Sequence, residues 1–264
     1  MPTHLLQFAK KLAYDAGKMA LTYQKKGFNI ETKSNSSDLV TDVDKICDEF
    51  LTKTIHSHFP DHSILSEESG ISGGTGEYKW IIDPIDGTTN FAHGLPLFGV
   101  SIAVVYKGKP IIGVVEIPGL GETFWGQEGK GAFMGMKPIQ VSKVATLEKS
   151  LLGTGFPYAR EARYKKNIEL FDAFYSKTQG VRRFGSAAVD LCFLACGRFD
   201  GFWEYDLEPW DIAAGKIILE EAGGTLTNMD GSSFNPKLKN IAASNGILHS
   251  EMLRIIKDLG GDKL

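Results

Sequence analysis

The chain has 264 residues, of which 42% are hydrophobic and 23% are charged. These proportions are ordinary for a folded enzyme and exclude a chain that is mostly disordered. The formal net charge is −3 and no block of Lys and Arg is long, which argues against direct nucleic-acid binding. The three cysteines are too few for a disulfide framework, and no stretch approaches the roughly 20 apolar residues that span a membrane. We therefore expect a cytoplasmic protein.

The first half of the chain predicts two helices followed by a run of strands. In chain order, the predicted elements are a helix over 3–26, a polar loop or hairpin over 29–41, a helix over 42–58, a strand over 63–66, a Gly-rich loop over 69–77, a strand over 80–82 that ends at Asp83, paired strands over 97–106 and 109–117, and short strands near 122–125, 131–134 and 137–141. Apolar residues spaced three and four apart indicate the helices, and the turn Lys107-Gly108 indicates the strand pair.

The second half alternates strands with helices. The predicted strands cover 151–155, 180–183, 200–204, 224–228 and 241–244, and the predicted helices cover 161–177, 186–197 and 209–222. This alternation is typical of a layered α/β structure. Because no long linker interrupts the chain, we expect two closely packed halves, with α+β character over 1–147 and α/β character over 148–264.

The segment Asp83-Pro84-Ile85-Asp86-Gly87-Thr88-Thr89-Asn90 is the strongest functional signal. Asp83 follows a predicted buried strand, and Pro84 has no N–H group to donate to a neighbouring strand. Asp86 directly precedes Gly87, where a helical turn is predicted to begin. Carboxylates bind hard divalent cations, and N–H groups at a helix start bind an oxyanion. A capped turn would explain either aspartate alone, but few turns need two acids, a glycine and two threonines together. The pattern predicts a site for a phosphate that bridges metal ions.

The spacing of the two acids excludes one class of phosphatase. Haloacid-dehalogenase phosphatases carry Asp-x-Asp with the first Asp as nucleophile, whereas this chain has Asp-x-x-Asp. We therefore expect a metal-activated water, not a carboxylate, to attack the phosphate. No Cys and His set has zinc spacing, which favours an oxygen-binding metal. His93, which follows the motif, is better explained as a structural residue than as an acid or base.

Four weaker candidates lie outside this segment. Glu67 and Glu68 end a predicted strand ahead of it, and one of them is a candidate metal ligand, with a solvated acid pair as the alternative. Asp211 begins a predicted helix, where it favours the helix dipole and could bring a carboxylate from the second half to the metal. Gly185-Ser186-Ala187 opens a helix and Glu204 ends a strand. Both could contact substrate hydroxyls, although a plain Ser N-cap is an equally good interpretation of the former.

Together these residues resemble the inositol monophosphatase family over nearly the whole chain. The resemblance is carried by Ser66-Glu67-Glu68-Ser69, by the run from Trp80 to Phe91, and by Trp210-Asp211-Ile212-Ala213-Ala214-Gly215. It implies a five-layered α/β/α/β/α sandwich of two intimately packed halves. It also implies Mg²⁺-dependent hydrolysis of a phosphate monoester with two to three ions per site, a homodimer, and sensitivity to lithium.

The resemblance further implies roles for matching positions. The implied metal ligands are Glu67, Asp83 and the Ile85 carbonyl for one Mg²⁺, Asp83, Asp86 and Asp211 for a second, and Glu67 for a weaker third. Glu67 and Thr88 would orient the attacking water, with Asp44 ordering Thr88. The amides of Gly87 and Thr88 would hold the phosphate, and the substrate contacts would be Asp86, Gly185, Ser186, Ala187, Glu204 and Asp211. Lys33 matches a lysine of a mobile loop, with an ordinary surface lysine as the alternative.

The substrate is less clearly indicated than the reaction. Glu204 and Gly185-Ser186-Ala187 match positions that hold inositol hydroxyls in the family, which favours myo-inositol 1-phosphate. Relatives with the same metal core hydrolyse fructose 1,6-bisphosphate, histidinol phosphate, NADP or 3′-phosphoadenosine 5′-phosphate, so these substrates stay open. A different class of function also stays open. Some bacterial members with a similar segment around Arg182 and Arg183 bind transcription machinery, which would imply an RNA polymerase contact here.

Overall fold

Two amphipathic helices at the start of the chain form the first layer. The computed structural model describes residues 2–32 and 39–264, and these helices are α1 (Pro2–Lys26) and α2 (Asp42–His58). Between them, β1 (Ile30–Thr32) pairs antiparallel with β2 (Leu39–Thr41). Of the two interpretations of this segment, the hairpin therefore fits its described flanks. Lys33 lies outside the described residues.

A large sheet forms the second layer. Its strands are β3 (Ser63–Ser66), β4 (Gly70–Gly73), β5 (Tyr78–Asp86), β6 (Gly99–Tyr106), β7 (Lys109–Ile117), β8 (Glu122–Gln127), β9 (Gly131–Met134) and β10 (Lys137–Ile139). Their spatial order is β10-β9-β8-β7-β6-β5-β3-β4. All neighbours are antiparallel except β3 and β5, which are parallel. The short helix α3 (Thr88–Ala92) follows β5 directly.

Two sequence predictions in this sheet are wrong. The segment 69–77 is not all loop, because the backbone of Gly70–Gly73 pairs antiparallel with β3 as strand β4. Glycines at both ends of β4 adopt positive φ (+70° and +88°), which lets the chain turn back beside β3. The strand predicted to end at Asp83 instead continues to Asp86. Pro84 cannot donate to the ladder, and the strand responds with a bulge rather than a stop.

A second sheet and four helices complete the fold. The strands are β11 (Leu151–Thr154), β12 (Gly180–Arg182), β13 (Gly201–Tyr205), β14 (Thr225–Thr227) and β15 (Asn240–Ser244), in the order β12-β11-β13-β15-β14. The helices are α4 (Ala162–Tyr175), α5 (Ala187–Ala195), α6 (Pro209–Glu221) and α7 (His249–Asp258). Helix α7 is not among the elements predicted from the sequence.

The helices divide these sheets into five alternating layers. Helices α1 and α2 pack on the outer face of the large sheet, and α4 and α7 pack on the outer face of the small one. Helices α5 and α6 lie between the two sheets, where every residue of α5 is buried. Gly113 on β7 permits the closest approach, since a Cβ there would lie 2.4 Å from the Ala214 carbonyl oxygen of α6. The predicted α/β/α/β/α sandwich is therefore confirmed.

Two further expectations concern the chain as a whole. Among the described helices, none carries an apolar stretch long enough to cross a bilayer. The division into halves over 1–147 and 148–264 stays a prediction, because α5 and α6 are packed against both sheets and form a shared middle layer.

Candidate active site

The bulge in β5 aligns the first two acids. Asp83 lies opposite Ser101 of β6 and Asp86 lies opposite Gly99, so two residues of β5 oppose one of β6 between them. Side chains alternate along a strand, so two residues three positions apart would normally point to opposite faces. The extra residue cancels that alternation and places both carboxylates on one face. The Ile85 amide donates to the Asp83 carboxylate at 2.9 Å, which holds the bulge in shape.

Gly87 connects the bulged strand to the start of α3. It is the N-cap of α3 and has φ +95°, a conformation that residues with a Cβ rarely adopt. A Cβ there would also lie 3.1 Å from the Cβ of Ser186 on the facing helix. Glycine therefore allows the amides at the start of α3 to approach α5 closely. The first N–H groups of any helix lack partners within it, so they are available to an anion.

Asp86 joins this strand to the middle helical layer. Its Oδ2 accepts a hydrogen bond from the Ser186 hydroxyl at 2.7 Å and another from the Ala188 amide at 2.6 Å. Ser186 is the N-cap of α5, as its sequence position indicated, and its hydroxyl accepts from the Val189 amide. Asp86 therefore satisfies donors at the N-terminus of α5 while remaining beside Asp83.

The third acid arrives from α6. Pro209 occupies the first turn of that helix, and Asp211 forms a capping box with Glu208. The Glu208 amide donates to Asp211 Oδ2 at 2.7 Å, which fixes the rotamer of the carboxylate. One oxygen from each of Asp83, Asp86 and Asp211 lies within 4.8 Å of the others.

This acid cluster has the properties of a cation site. Burial, together with the negative charges of Glu67 and Asp86, raises the pKa of Asp83 well above its usual range. Burial and the charge of Asp86 do the same to the pKa of Asp211. Burial raises the pKa of Asp86 to about 6, although its hydrogen bonds from Ser186 and Ala188 oppose the rise. Three crowded carboxylates are costly unless a cation neutralises them, and an all-oxygen set suits a hard divalent ion.

Glu67 and the Asp44–Thr88 pair lie at the edge of this cluster. The Glu67 amide donates to the Ile82 carbonyl of β5, and its side chain lines the same cavity as the three aspartates. The Thr88 hydroxyl lies 3.1 Å from both Asp44 Oδ1 and the Ile85 carbonyl oxygen. Asp44 is itself fixed by hydrogen bonds from the amide and hydroxyl of the Thr41 cap. Burial raises the pKa of Asp44.

A single cavity of about 380 Å³ brings most of the predicted site together. The predicted residues that line it are Glu67, Asp83, Ile85, Asp86, Gly87, Thr88, Gly185, Ser186, Ala187, Glu204 and Asp211. Asp44 does not line this cavity and lies behind Thr88 instead. His93 lines a neighbouring cavity. Residues separated by more than 140 positions in the chain therefore surround one space.

Asn90 ties the motif to the second half of the chain. Its side-chain amide donates to the carbonyl oxygens of Leu97 at 2.6 Å and Phe184 at 2.5 Å. The sequence placed Asn90 in the motif but indicated no role for it, because its partner Phe184 is distant in the chain.

Two buried residues near Glu204 were not predicted. Asp190 on α5 is fully buried, and neither carboxylate oxygen has a hydrogen-bond partner among the described residues. Burial, and then the charge of Glu204, raises the pKa of Asp190 well above the usual range. Burial and the charge of Asp86 raise the pKa of Glu204 to about 8, against the opposing charge of Arg183. The sequence did indicate that Asp190 is unusual, because it is an acid in the middle of an otherwise apolar helix.

Gly155 is the second unpredicted residue. It follows β11 directly, and a Cβ there would lie only 1.8 Å from Glu204 Oε1. The Glu204 carboxylate can therefore occupy its position only because residue 155 has no side chain. No sequence pattern signals this contact, since it joins two strands that are distant in the chain.

Comparison with known proteins identifies the family of this chain. A model of the inositol monophosphatase family matches residues 1–260. The chain is 44% identical over 262 residues to "Phosphatase IMPL1, chloroplastic" of Arabidopsis thaliana, covering 97% of this chain and 70% of that protein. It is 40% identical over 253 residues to "Putative Nus factor SuhB" of Neisseria meningitidis serogroup B, covering 95% and 97%. The solved structure of an inositol monophosphatase from Anabaena (Nostoc) sp. PCC 7120 matches with a TM-score of 0.87 and 41% identity, covering 97% and 96%. This chain therefore belongs to the inositol monophosphatase family of phosphate-ester hydrolases.

Proposed function

We propose that this protein is a Mg²⁺-dependent phosphomonoesterase that converts myo-inositol 1-phosphate and water to myo-inositol and phosphate. One observation carries the proposal. The carboxylates of Asp83, Asp86 and Asp211 converge within 4.8 Å beside the start of α3, in the same cavity as Gly87 and Thr88. A cation set next to unpaired amides is what a transferred phosphoryl group requires.

The acid cluster supplies the ligands for the ions. Glu67, Asp83 and the Ile85 carbonyl would hold one Mg²⁺, and Asp83, Asp86 and Asp211 a second, with Glu67 available to a weaker third. When bound, such ions lower the pKa of water and neutralise charge on phosphoryl and leaving oxygens. The raised pKa values of Asp83 and Asp211 support this assignment, because only a cation makes their joint ionisation favourable.

Thr88 orients the attacking water in this proposal. Its hydroxyl proton is directed to Asp44 Oδ1 or to the Ile85 carbonyl, so the oxygen is left as an acceptor on the cavity side. The Glu67 carboxylate, which lines the same cavity, would accept a hydrogen bond from the second O–H of that water. The amides of Gly87 and Thr88 donate to phosphate oxygens and stabilise the charge that develops on them.

The substrate assignment depends on further residues that line the same cavity. Gly185, Ser186 and Ala187 at the start of α5, together with Glu204, would contact the hydroxyls of the inositol ring. With its pKa raised to about 8, Glu204 is largely protonated at neutral pH and can both donate to and accept from a hydroxyl. Fructose 1,6-bisphosphate, NADP and histidinol phosphate are the alternative substrates on the same metal core.

The test is a substrate panel with a matched ligand variant. Purified protein is assayed on inositol 1-phosphate, fructose 1,6-bisphosphate, NADP and histidinol phosphate, with MgCl₂ and with EDTA. We expect Mg²⁺-dependent release of phosphate, fastest from inositol 1-phosphate, and a loss of several orders of magnitude in Asp83→Asn. Normal activity of that variant, with its circular dichroism unchanged, would refute the metal assignment. Lithium inhibition and a homodimer in light scattering are further expectations.

A second candidate function is a contact with the transcription machinery. It is favoured by the identity to the protein named as a putative Nus factor and by the exposed Arg182. Arg183 is exposed as well, and it also lines the cavity. Affinity capture of RNA polymerase by the wild type, by Arg182→Ala and by Asp83→Asn separates the two functions. Capture that Asp83→Asn retains and Arg182→Ala loses would establish a role independent of catalysis.

A further inference from the structure

Ser101 on β6 connects two of the proposed metal ligands, which come from distant parts of the chain. It lies directly opposite Asp83 of β5 in the sheet, so the two side chains are neighbours on one face. Its hydroxyl donates to the Trp210 carbonyl oxygen at 3.2 Å, and Trp210 immediately precedes Asp211 on α6. We propose that Ser101 is a positioning residue that sets the distance between the Asp83 and Asp211 carboxylates, so that both reach one Mg²⁺. The inference rests on the metal assignment in the proposed function and adds a residue outside the ligand set.

Ser101 is a polar residue at an otherwise apolar interface between a helix and a sheet. Only 1% of it is exposed, and the residues two positions away on the same face of β6 are Gly99 and Ala103. On the other adjacent strand, β7, its neighbour is the buried Val115. Burying a hydroxyl costs free energy unless it forms a hydrogen bond, and an alanine would occupy the same place without that cost. The hydroxyl therefore needs a partner, and the Trp210 carbonyl oxygen is that partner.

Helix α6 crosses three neighbouring strands, and Ser101 supplies a directional contact at one end of the crossing. Residues of α6 spaced four apart lie over small residues of the sheet, which are Trp210 over Ser101 of β6, Ala214 over Gly113 of β7 and Ile218 over Gly126 of β8. A Cβ at Gly126 would lie 3.0 Å from the Ile218 Cα. Glycine permits such close packing but has no side chain that could stop the helix from sliding. The hydrogen bond from Ser101 holds the end of α6 that carries Asp211.

The coordination geometry of Mg²⁺ makes this anchor important. Mg²⁺ requires a near-ideal octahedron with ligands at about 2.0–2.1 Å, whereas Ca²⁺ accepts six to eight oxygens at about 2.3–2.6 Å in flexible arrangements. The capping box with Glu208 fixes the rotamer of Asp211 but not the position of the helix on the sheet. A small displacement of α6 would move Asp211 relative to Asp83. It would therefore weaken the binding of Mg²⁺ more than the binding of Ca²⁺.

Ion binding to the metal-free protein tests this proposal without a substrate. The readouts are the Kd for Mg²⁺ and the Kd for Ca²⁺, each measured by isothermal titration calorimetry. We expect Ser101→Ala to raise the Kd for Mg²⁺ about tenfold, as for other residues that orient metal ligands, and the Kd for Ca²⁺ by less than about threefold. Ser101→Cys should give the same result, because it keeps the side-chain volume but is a weak donor.

Val115→Ala is the matched control. It removes volume from the same interface, directly beside Ser101, without removing a hydrogen bond. It should lower the midpoint of thermal unfolding and leave the ratio of the two Kd values unchanged. Unchanged Kd values in Ser101→Ala, an equal change in both, or a loss selective for Mg²⁺ in Val115→Ala would each overturn the positioning role.

The outcomes separate this proposal from the proposed function. If the wild type binds both ions but hydrolyses no phosphate monoester, the proposed function fails, and the comparison of Ser101→Ala with Val115→Ala still decides the positioning role. If the wild type hydrolyses inositol 1-phosphate and Ser101→Ala keeps the wild-type Kd for Mg²⁺, only the positioning role fails. Failure of the wild type to bind either ion would overturn both.

Discussion

Replacing Gly155 by alanine is expected to disable substrate recognition while leaving the metal centre intact. The new Cβ would lie 1.8 Å from Glu204 Oε1 and 2.1 Å from its Cδ. Since such contacts are not found below 3.0 Å, the carboxylate oxygen has to move by about 1.2 Å. Gly155 does not have a positive φ, so its backbone tolerates alanine without strain.

The backbone at Gly155 is held in place, so the Glu204 side chain must be the part that moves. The Gly155 carbonyl accepts a hydrogen bond from Asn167 Nδ2 at 2.6 Å. Asn167 is fully buried, and its Oδ1 accepts from Trp203 Nε1 at 2.7 Å. Because Trp203 immediately precedes Glu204 on β13, the same network anchors both sides of the contact. Only the carboxylate end of Glu204 can yield.

The expected result is a change in kcat/KM that depends on the substrate. A misplacement of about 1 Å in a positioning group costs up to roughly 100-fold, so Gly155→Ala should lower kcat/KM for inositol 1-phosphate by about 10- to 100-fold. Hydrolysis of p-nitrophenyl phosphate, which has no ring hydroxyls, should change by less than about threefold. The free energy of unfolding should change by less than about 1 kcal/mol, as for a glycine-to-alanine change at a compatible position.

A double-mutant cycle provides the control. In a Glu204→Ala background there is no carboxylate to displace, so Gly155→Ala should have almost no further effect on inositol 1-phosphate. Additive losses would show that Gly155 acts through something other than Glu204. Equal losses on both substrates, or no loss on either, would refute the reasoning.

Three further predictions concern stability and ion binding. Burial raises the pKa of Asp190, so its protonated form is favoured in the fold, and the stability it contributes is lost as the pH rises from about 4. Asp190→Asn should therefore raise the free energy of unfolding by about 1–3 kcal/mol at pH 7.5 and by almost nothing at pH 4, measured in urea; a gain that does not depend on pH would contradict this. MgCl₂ at 100 times its Kd should stabilise the wild type by about 2.7 kcal/mol in thermal unfolding, with no effect on Asp83→Asn. That stabilisation should shrink below pH 6, where Asp86, with its pKa of about 6, binds a proton in competition with the ion. Asn90→Ala removes the side-chain amide that donates to the carbonyl oxygens of Leu97 and Phe184, and it should lower the free energy of unfolding in urea by about 2 kcal/mol or more. An unchanged unfolding midpoint would show that these hydrogen bonds do not stabilise the fold.

Local patterns were sufficient to predict most of the fold. Apolar spacing identified α1 and α2, and the turn at Lys107-Gly108 identified the pair β6–β7, because each depends on residues close in the chain. Strand β4 was missed because its glycines carry no strand propensity and its pairing with β3 supplies the stability. Helix α7 was missed although its buried residues Met252, Ile255 and Ile256 have helical spacing, so a local pattern for it was present in the sequence.

The residues of the candidate site were likewise predictable where they are close in the chain and not where they are distant. Asp83, Asp86 and Gly87 are neighbours in sequence, so their motif was visible without a structure. The bulge that aligns the two acids was not, because a bulge is defined by the register with β6. The contact between Gly155 and Glu204 depends on packing between distant elements, and so does the burial of the Asp190 carboxylate, which has no hydrogen-bond partner among the described residues. Such contacts produce no periodic pattern in the sequence.

Ion binding and the packing of the layers are coupled through Asp86. One oxygen of its carboxylate accepts both donors at the start of α5, while the side chain also lies in the cluster with Asp83 of β5 and Asp211 of α6. Without a cation, repulsion among these carboxylates acts directly between β5 and α6, two elements that are otherwise held together by apolar contacts. A cation would remove this repulsion and would bind only where all three elements are in place. The junction of β5, α5 and α6 is therefore the part of the fold whose stability depends most on the ion.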